Sequence, residues 1–318
     1  MCTAISYIGK SHYFGRNLDY FHSFGEKIVI TPRSFSLKFR KTTSQKKHYA
    51  IIGMAHVENN YPLYYDAVNE KGLCMAGLLF SGYAHYHSVK PRYDNISPFE
   101  FIPWVLSQCS DLHEAKKLLK EINLVDIPFS DTLGLSPLHW IISDESGSIT
   151  VESVEKGLLV YDNTARVLTN APDFPMHLFN LNNYISLSPQ NPKNTFSKNL
   201  PLKSYGFGMG AIGLPGDFSS MSRFVKASFV LSNSACKKNE SDCVNHFFRL
   251  LDTVAMPEGA VIGGNGELQK TLYSCCINAE RGIYYYTTYS DRTIKSVSID
   301  TDDSIDTLIC TPLAKEQN

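Results

Sequence analysis

The sequence lacks the features that would place the protein in a membrane or send it across one. No apolar run approaches the roughly 20 residues that a membrane-spanning helix needs. The N-terminus has no basic region followed by an apolar stretch, so no signal peptide is visible. We therefore expect a cytoplasmic protein without membrane contact.

An excess of charge of one sign is also missing. The 318 residues include 30 lysines and arginines against 31 aspartates and glutamates, for a formal net charge of −1. Such a chain has no basic field for nucleic acid. Hydrophobic residues make up 43% of the chain, which is enough for a sizeable core, and no linker divides it. We predict a single domain over residues 1–318 that takes a neutral or small anionic molecule as its partner.

Cysteine is present without the spacing that marks a metal site or a redox pair. No two of the eight cysteines form a C-x-x-C pair, so a structural zinc site is not expected. Cytoplasmic cysteines should be reduced, and we predict that seven of the eight are packing residues. The eight positions are Cys2, Cys74, Cys109, Cys236, Cys243, Cys275, Cys276 and Cys310.

Predicted strands and helices come in blocks. Helix starts are indicated at Ser97, where a proline and Glu100 follow, at Ser110 or Asp111, and near residues 219 and 242. Strand patterns precede, separate and follow these helices. Blocks without strict βαβ alternation favour an α+β fold with mostly antiparallel sheets, such as two stacked sheets with helices outside. The polar, proline-punctuated segment 186–204 is predicted to be a long surface excursion.

The N-terminal stretch "MCTAISYIGKSHYFGRNLDY" predicts a β-hairpin. A turn at Gly9-Lys10, with or without Ser11, would bring Cys2 opposite either Asn17 or Leu18. In both registers Arg16 and Asp19 lie within about two residues of Cys2 across the ladder.

Cys2 becomes the first residue of the chain when Met1 is removed, and it then carries both a thiol and an α-amine. A free thiol has a pKa of about 8.5 and an α-amine of about 7.7–8.0, so the amine can accept the thiol proton near neutral pH. Arg16 would favour the thiolate, and Asp19 could orient the amine as a third triad member does. The alternative is that Cys2 simply packs as a small apolar residue.

Three further patterns are ambiguous by themselves. Gly208, Gly210 and Gly213 match G-x-G-x-x-G, but a polar segment precedes them and no helix follows at once, so we predict a loop and no dinucleotide site. Arg223 lies in the first turns of a predicted helix, where it would either face an anion or a carbonyl or remain solvated. Asn170 ends a strand, a place where asparagine also starts turns.

Six segments together resemble the choloylglycine hydrolase family, which contains bile salt hydrolases and penicillin V acylases. They are "MCTAISY", "YFGRNLDY", "DAVNEKGLCMAGLLFSGYA", "LSPLHW", "VLTNAPDFP" and "SRFVKASF", in that order along nearly the whole chain. The resemblance implies an N-terminal-nucleophile hydrolase with an αββα sandwich fold, assembled as a homotetramer. It also implies five catalytic residues, namely Cys2, Arg16, Asp19, Asn170 and Arg223. We expect no cofactor and no metal.

Leu79 departs from the family pattern. Bile salt hydrolases commonly have asparagine at this position and penicillin V acylases have tyrosine, although the backbone N–H that is thought to bind the oxyanion remains. By family position, Leu18, Leu79, Phe129 and Leu133 are predicted to bind the substrate. The sequence thus predicts an amidase that cleaves glycine- or taurine-conjugated bile acids. Penicillin V acylase is the alternative enzyme, and a catalytically silent sandwich that binds sterols or phenolic ligands is the alternative from another class.

Overall fold

The computed structural model describes residues 1–236 and 239–313, so the last five residues of the predicted domain lie outside the described residues. The α-helices are α1 (Phe101–Gln108), α2 (Leu112–Leu118), α3 (Phe174–Asn180), α4 (Ser220–Asn233) and α5 (Glu240–Asp252). The strands are β1 (Cys2–Ile8), β2 (His12–Tyr20), β3 (Lys27–Thr31), β4 (Ile51–Glu58), β5 (Tyr61–Asn69), β6 (Cys74–Leu79), β7 (Asp94–Ile96), β8 (Ile122–Leu124), β9 (Leu138–Ser143), β10 (Ser148–Val154), β11 (Gly157–Asp162), β12 (Val167–Leu168), β13 (Val261–Ile262), β14 (Leu268–Asn278), β15 (Ile283–Thr288), β16 (Lys295–Ser298) and β17 (Ile309–Pro312).

Two antiparallel sheets form the centre of the molecule. The first has the strand order β12-β1-β2-β14-β15-β16 with β13 beside β14, and the second has the order β11-β10-β9-β6-β5-β4-β3-β17. Helices α4 and α5 cover the first sheet, where Phe224 and Phe247 join a buried cluster with Phe14. Helix α1 covers the second sheet, where Phe101 packs edge-on against Trp140. This arrangement is the predicted four-layer α+β sandwich, αββα.

The N-terminal hairpin has the second of the two predicted registers. Cys2 pairs with Leu18 and Ala4 pairs with Arg16. Because side chains alternate along a strand, Cys2, Leu18 and Arg16 share one face of the first sheet. The hairpin therefore fixes the side chains of Cys2 and Arg16 on the same side.

Local signals predicted several element boundaries correctly. The Glu100 carboxylate accepts a hydrogen bond from the Ser97 backbone N–H at 2.8 Å, just before α1. Asp111 accepts from the Glu114 N–H at 2.8 Å and begins α2, and Ser219 caps α4. Gly72 turns the β5–β6 hairpin with a φ of 91°, a conformation that favours glycine.

Other parts of the chain differ from their predictions or add to them. Helix α3 and strands β4, β7, β8, β13 and β17 were not predicted. Cys310 lies on β17 and is exposed because this strand is at an edge of the second sheet, so the prediction of seven packing cysteines is wrong for this one.

The glycines of the G-x-G-x-x-G pattern lie outside strands and α-helices, as predicted, and segment 186–204 has neither helix nor strand. No helix in residues 1–236 and 239–313 is long and apolar enough to cross a membrane.

Candidate active site

The structure brings the five predicted catalytic residues together where β1 begins. Cys2 is on β1, and Arg16 and Asp19 are on β2, its hairpin partner. Asn170 follows β12, which pairs with β1, and Arg223 projects from α4. All five side chains are buried, and Cys2 itself is 5% exposed with Met1 in place.

Asn170 contacts the backbone of the predicted nucleophile directly. The Cys2 nitrogen donates to Asn170 Oδ1 at 2.8 Å, and Asn170 Nδ2 donates to the Leu79 carbonyl at 2.7 Å. The Met1 amine donates to the Asp19 carbonyl at 2.6 Å, and the Asp19 N–H donates to the Met1 carbonyl at 2.9 Å. Removal of Met1 would turn the Cys2 nitrogen into an α-amine at this same position.

The Arg223 guanidinium joins Asn170 to the start of β1. Its Nη2 donates to Asn170 Oδ1 at 2.7 Å, and its Nη1 donates to the Cys2 carbonyl and, at 2.7 Å, to Thr3 Oγ1. Burial lowers the pKa of Arg223, and the nearby Asp19 and Cys2 oppose this effect. Among side chains, only the planar guanidinium of arginine can donate to these three acceptors at once.

Arg16 lies fully buried between the sheets. Its Nη1 donates to the carbonyls of Gly77 at 2.6 Å and Tyr65 at 3.2 Å, while Nη2 has no partner among the described residues. The buried Asp66 is the nearby carboxyl on β5, and it accepts from the hydroxyls of Tyr273 and Tyr284. Burial raises the pKa of Asp66, whereas Arg16 and the two hydroxyls lower it. Arg16 is thus a fixed positive charge with an open donor.

Asp19 is held by a residue that sequence reasoning did not identify. Its Oδ1 accepts from Thr271 Oγ1 at 2.6 Å, and its Oδ2 has no partner within residues 1–236 and 239–313. Burial raises the pKa of Asp19, and this is opposed by Arg223, by the N-terminal amine and by Thr271. Thr271 reaches Asp19 because β14 pairs with β2 and places the two residues opposite each other.

A mostly apolar cavity of about 290 Å³ lies beside Arg16. Tyr65 and Gly77 line it, and the same two residues accept hydrogen bonds from Arg16. Of the predicted substrate-binding residues, Phe129 and Leu133 line this cavity. Leu18 and Leu79 do not: Leu18 packs in the core opposite Cys2, and Leu79 offers its carbonyl to Asn170. Lining residues that were not predicted include Phe24, His56, Leu63, Phe99 and Trp140.

Comparisons with known proteins show which family the chain belongs to. The sequence model of the family described as linear amide C–N hydrolases, choloylglycine hydrolase family, matches residues 2–310. The chain is 50% identical over 318 residues to a bile salt hydrolase/transferase of Lactiplantibacillus plantarum, with 99% of this chain and 98% of that protein covered.

Solved structures of related proteins also match over nearly the whole chain. A variant of the conjugated bile acid hydrolase from Clostridium perfringens superposes with a TM-score of 0.91 at 34% identity, covering 99% of this chain and 98% of that one. Penicillin V acylase from Agrobacterium tumefaciens has a TM-score of 0.76 at 19% identity, covering 96% and 90%, which shows a shared fold alone. The chain therefore belongs to the choloylglycine hydrolase family of linear amide C–N hydrolases.

Proposed function

We propose that this protein is a bile salt hydrolase, which cleaves the amide between a bile acid and glycine or taurine. The observation that carries the proposal is the position of the Cys2 nitrogen, which is bound to Asn170 next to Arg223. The apolar cavity lies beside Arg16, whose side chain shares a sheet face with Cys2. Membership of the family supplies the reaction type, the hydrolysis of a linear amide. The 50% identity to a protein named bile salt hydrolase/transferase supports the substrate class.

In the proposed first step the Cys2 thiol attacks the amide carbonyl. Its proton passes to the α-amine of the same residue, which exists once Met1 has been removed. As the carbon–sulfur bond forms, the carbonyl oxygen becomes an oxyanion, and collapse of this intermediate breaks the carbon–nitrogen bond. The α-amine returns the proton to the leaving glycine or taurine. Water then hydrolyses the thioester, releasing the free bile acid and the thiol.

Asn170 and Leu79 would bind the oxyanion. The Asn170 amide nitrogen carries two hydrogens, of which one is used by the Leu79 carbonyl, so the other remains free for the substrate. The second proposed donor is the Leu79 backbone N–H. One such donor is typically worth about 3–4 kcal/mol of transition-state stabilisation. Asp19 would orient the α-amine with its free Oδ2, and Arg16 and Arg223 would supply positive charge.

The apolar cavity suits a steroid acyl group, because burial of apolar surface contributes roughly 25 cal/mol per Å². Phe129 and Leu133 are the proposed contacts among its lining residues. A phenoxyacetyl group would use the same reaction chemistry, so penicillin V acylase remains the alternative. A silent sterol-binding sandwich is disfavoured by the five buried residues gathered where β1 begins, among which Asn170 binds the Cys2 nitrogen.

Two measurements test this function. Mass spectrometry of the purified protein should show that Met1 is absent, because a retained methionine would block the α-amine. Product release is then compared for glycocholate, taurocholate and penicillin V, with kcat/KM as the readout. We expect a higher kcat/KM for at least one of the two bile salts than for penicillin V. A higher kcat/KM for penicillin V than for both bile salts would refute the substrate assignment and favour the alternative.

We also propose that the chain is a single catalytic domain over residues 1–318, that it assembles as a homotetramer and that it acts in the cytoplasm. All eight cysteines are free, which suits a reducing compartment.

The proposed tetramer has support from the surface. Large apolar side chains are exposed along and beside the predicted excursion at residues 186–204, and a second copy of the chain would bury them. Light scattering should give four chains per particle, and fewer chains would refute the tetramer. The exposed residues are Ile185, Phe196, Tyr205, Phe207 and Ile212.

A further inference from the structure

Two buried histidines flank the backbone of Asn170, outside the predicted catalytic set. His177, on α3, places Nε2 2.8 Å from the Asn170 carbonyl oxygen. His139, on β9, places Nε2 3.0 Å from the carbonyl oxygen of Thr169. A carbonyl oxygen only accepts hydrogen bonds, so both Nε2 atoms must carry a proton and donate. Successive peptide groups on either side of the Asn170 Cα are therefore each held by an imidazole.

His139 is held in turn by a carboxylate. Its Nδ1 is 3.1 Å from Glu152 Oε1, and the two residues are direct cross-strand partners on β9 and β10. The same Oε1 accepts the Phe174 N–H at 3.0 Å, so Glu152 is itself held by a second contact. His139 thus lies between the Glu152 carboxyl and the Thr169 carbonyl, and both side chains of the pair are fully buried. The ring also stacks on Phe80, with an interplanar angle of 7°.

The protonation state of His177 follows from its burial. Burial lowers its pKa to about 4, with smaller contributions from the charges of His139 and Arg223, so the ring is neutral near pH 7. Its one proton is on Nε2, where Asn170 accepts it. The ring packs on Phe224 with centroids 4.8 Å apart, and Phe224 is the neighbour of Arg223 in α4. The ring therefore has little freedom to turn away from Asn170.

We infer that His177, and with it the His139–Glu152 pair, are positioning residues that hold Asn170 at the reacting carbonyl. The inference rests on the proposed function, in which the Asn170 amide binds the oxyanion. None of the three side chains contacts Cys2 by a hydrogen bond within the described part of the chain. They act through the backbone of residues 169 and 170, and a small displacement of a catalytic group is costly to the rate.

The first test compares His177→Asn with His177→Gln. Both variants place a neutral amide in the same buried site, but only glutamine can put its nitrogen where Nε2 stands. We expect His177→Asn to lower kcat by about tenfold or more with KM within about twofold, as misplacement of a catalytic group predicts. His177→Gln should restore most of kcat. Equal kcat in the two variants, or a loss confined to KM, would overturn the inference.

The second test uses Glu152→Gln, which also covers the case in which the His177 variants fail to fold. The substitution replaces the carboxyl group with a weaker amide acceptor, which loosens the contacts to His139 Nδ1 and the Phe174 N–H and, through His139, the hold on Thr169. We expect kcat to fall several-fold with KM preserved, whereas wild-type kcat would contradict the role of the pair. His246→Asn, at a half-buried histidine that packs on Tyr7, is the control and should keep wild-type kcat.

The assays use whichever amide the wild-type protein cleaves. If the wild type prefers penicillin V, the proposed substrate is wrong, yet the contrast between asparagine and glutamine at position 177 still tests the inference. If bile salts are cleaved and the contrast is missing, only the inference fails.

Discussion

Oδ1 of Asn170 lies 2.7 Å from Nη2 of Arg223 and 2.8 Å from the backbone nitrogen of Cys2. Both nitrogens are donors, so this atom of the side chain must be the amide oxygen. The amide nitrogen consequently points to the Leu79 carbonyl, on the side where the oxyanion is proposed to form. Arg223 therefore determines which end of the Asn170 amide faces the substrate.

Arg223→Lys should show this orienting effect. An ammonium group cannot reproduce the fork that contacts Asn170, Thr3 and the Cys2 carbonyl together, so we expect kcat to fall by about 10²-fold, the usual cost of a lost oxyanion donor. Arg249→Lys is the matched control, since the Arg249 side chain is 83% exposed, and its kcat should not change. Steady-state kinetics on the bile salt that the wild type cleaves decides the matter. If Arg223→Lys kept the wild-type kcat, Arg223 would not be needed to orient Asn170 for catalysis.

Cys2→Ser should lose nearly all turnover while keeping the fold, because a hydroxyl is a much poorer nucleophile near pH 7. Iodoacetamide should inactivate the enzyme in step with modification of Cys2, measured by peptide mapping. Burial raises the pKa of Cys74, Cys275 and Cys276, so these thiols should react slowly. Cys310 is exposed, and Cys310→Ser should leave the inactivation rate unchanged. Inactivation that followed another cysteine would show that the nucleophile has been misassigned.

Asp19→Asn should lower kcat by orders of magnitude with little change in Tm, because the charge that orients the α-amine is lost. Thr271→Val should give a smaller loss in the same direction, since it removes the hydrogen bond to Asp19 Oδ1. Thr287→Val is the control, because the Thr287 hydroxyl is buried with no partner in the described residues. A large drop in Tm with normal kcat in Asp19→Asn would instead mean that Asp19 stabilises the fold.

The contrast between Asp19 and Thr271 shows which site residues can be predicted from the sequence and which cannot. The hairpin turn and the alternation of strand residues were enough to place Arg16 and Asp19 near Cys2. Thr271 is 252 positions away from Asp19, and only the insertion of β14 beside β2 brings them together. No local pattern predicts which distant strand will pair with β2. His139 was missed for the same reason, since it reaches Thr169 from the other sheet.

The substrate contacts were the least predictable part of the site. Phe129 and Leu133, which family position suggested as substrate contacts, line the cavity. Leu18 lies opposite Cys2 and the Leu79 carbonyl contacts Asn170, but neither side chain lines the cavity. Proximity to the catalytic residues therefore does not show whether a side chain faces the cavity. The five proposed catalytic residues were easier because the hairpin placed Arg16 and Asp19 near Cys2, and the family resemblance added Asn170 and Arg223.

The cavity predicts how substrate affinity should respond to truncation. Phe129→Ala and Leu133→Ala should each raise KM for glycocholate by up to about tenfold with kcat nearly unchanged, because apolar contact is lost away from the reacting bond. Leu79→Ala should leave KM within about twofold, since its side chain lies outside the cavity lining and its contact with Asn170 is through the backbone. Initial-rate kinetics measures both. A larger rise in KM for Leu79→Ala than for the other two would restore Leu79 as a substrate contact.

Buried histidines also predict a loss of stability in acid. Burial lowers the pKa of His12 from 6.5 to about 4, with a smaller effect from Arg166. The unfolded chain therefore binds more protons than the folded protein between these two values. The resulting stability is fully present above pH 6.5 and is lost as the pH falls toward 4, by at most about 3 kcal/mol.

The physical reason is that His12 bridges the two sheets in its neutral form. Its Nε2 lies 3.1 Å from Ser6 Oγ and 3.2 Å from Ser143 Oγ, and a second proton would bury an uncompensated charge between the layers. Urea unfolding at pH 4.5, 5.5 and 7 should therefore give a shallower dependence on pH for His12→Gln than for the wild type. His113 is exposed, so His113→Gln should keep the wild-type dependence. If His12→Gln kept the full pH dependence, other groups would have to cause the acid sensitivity.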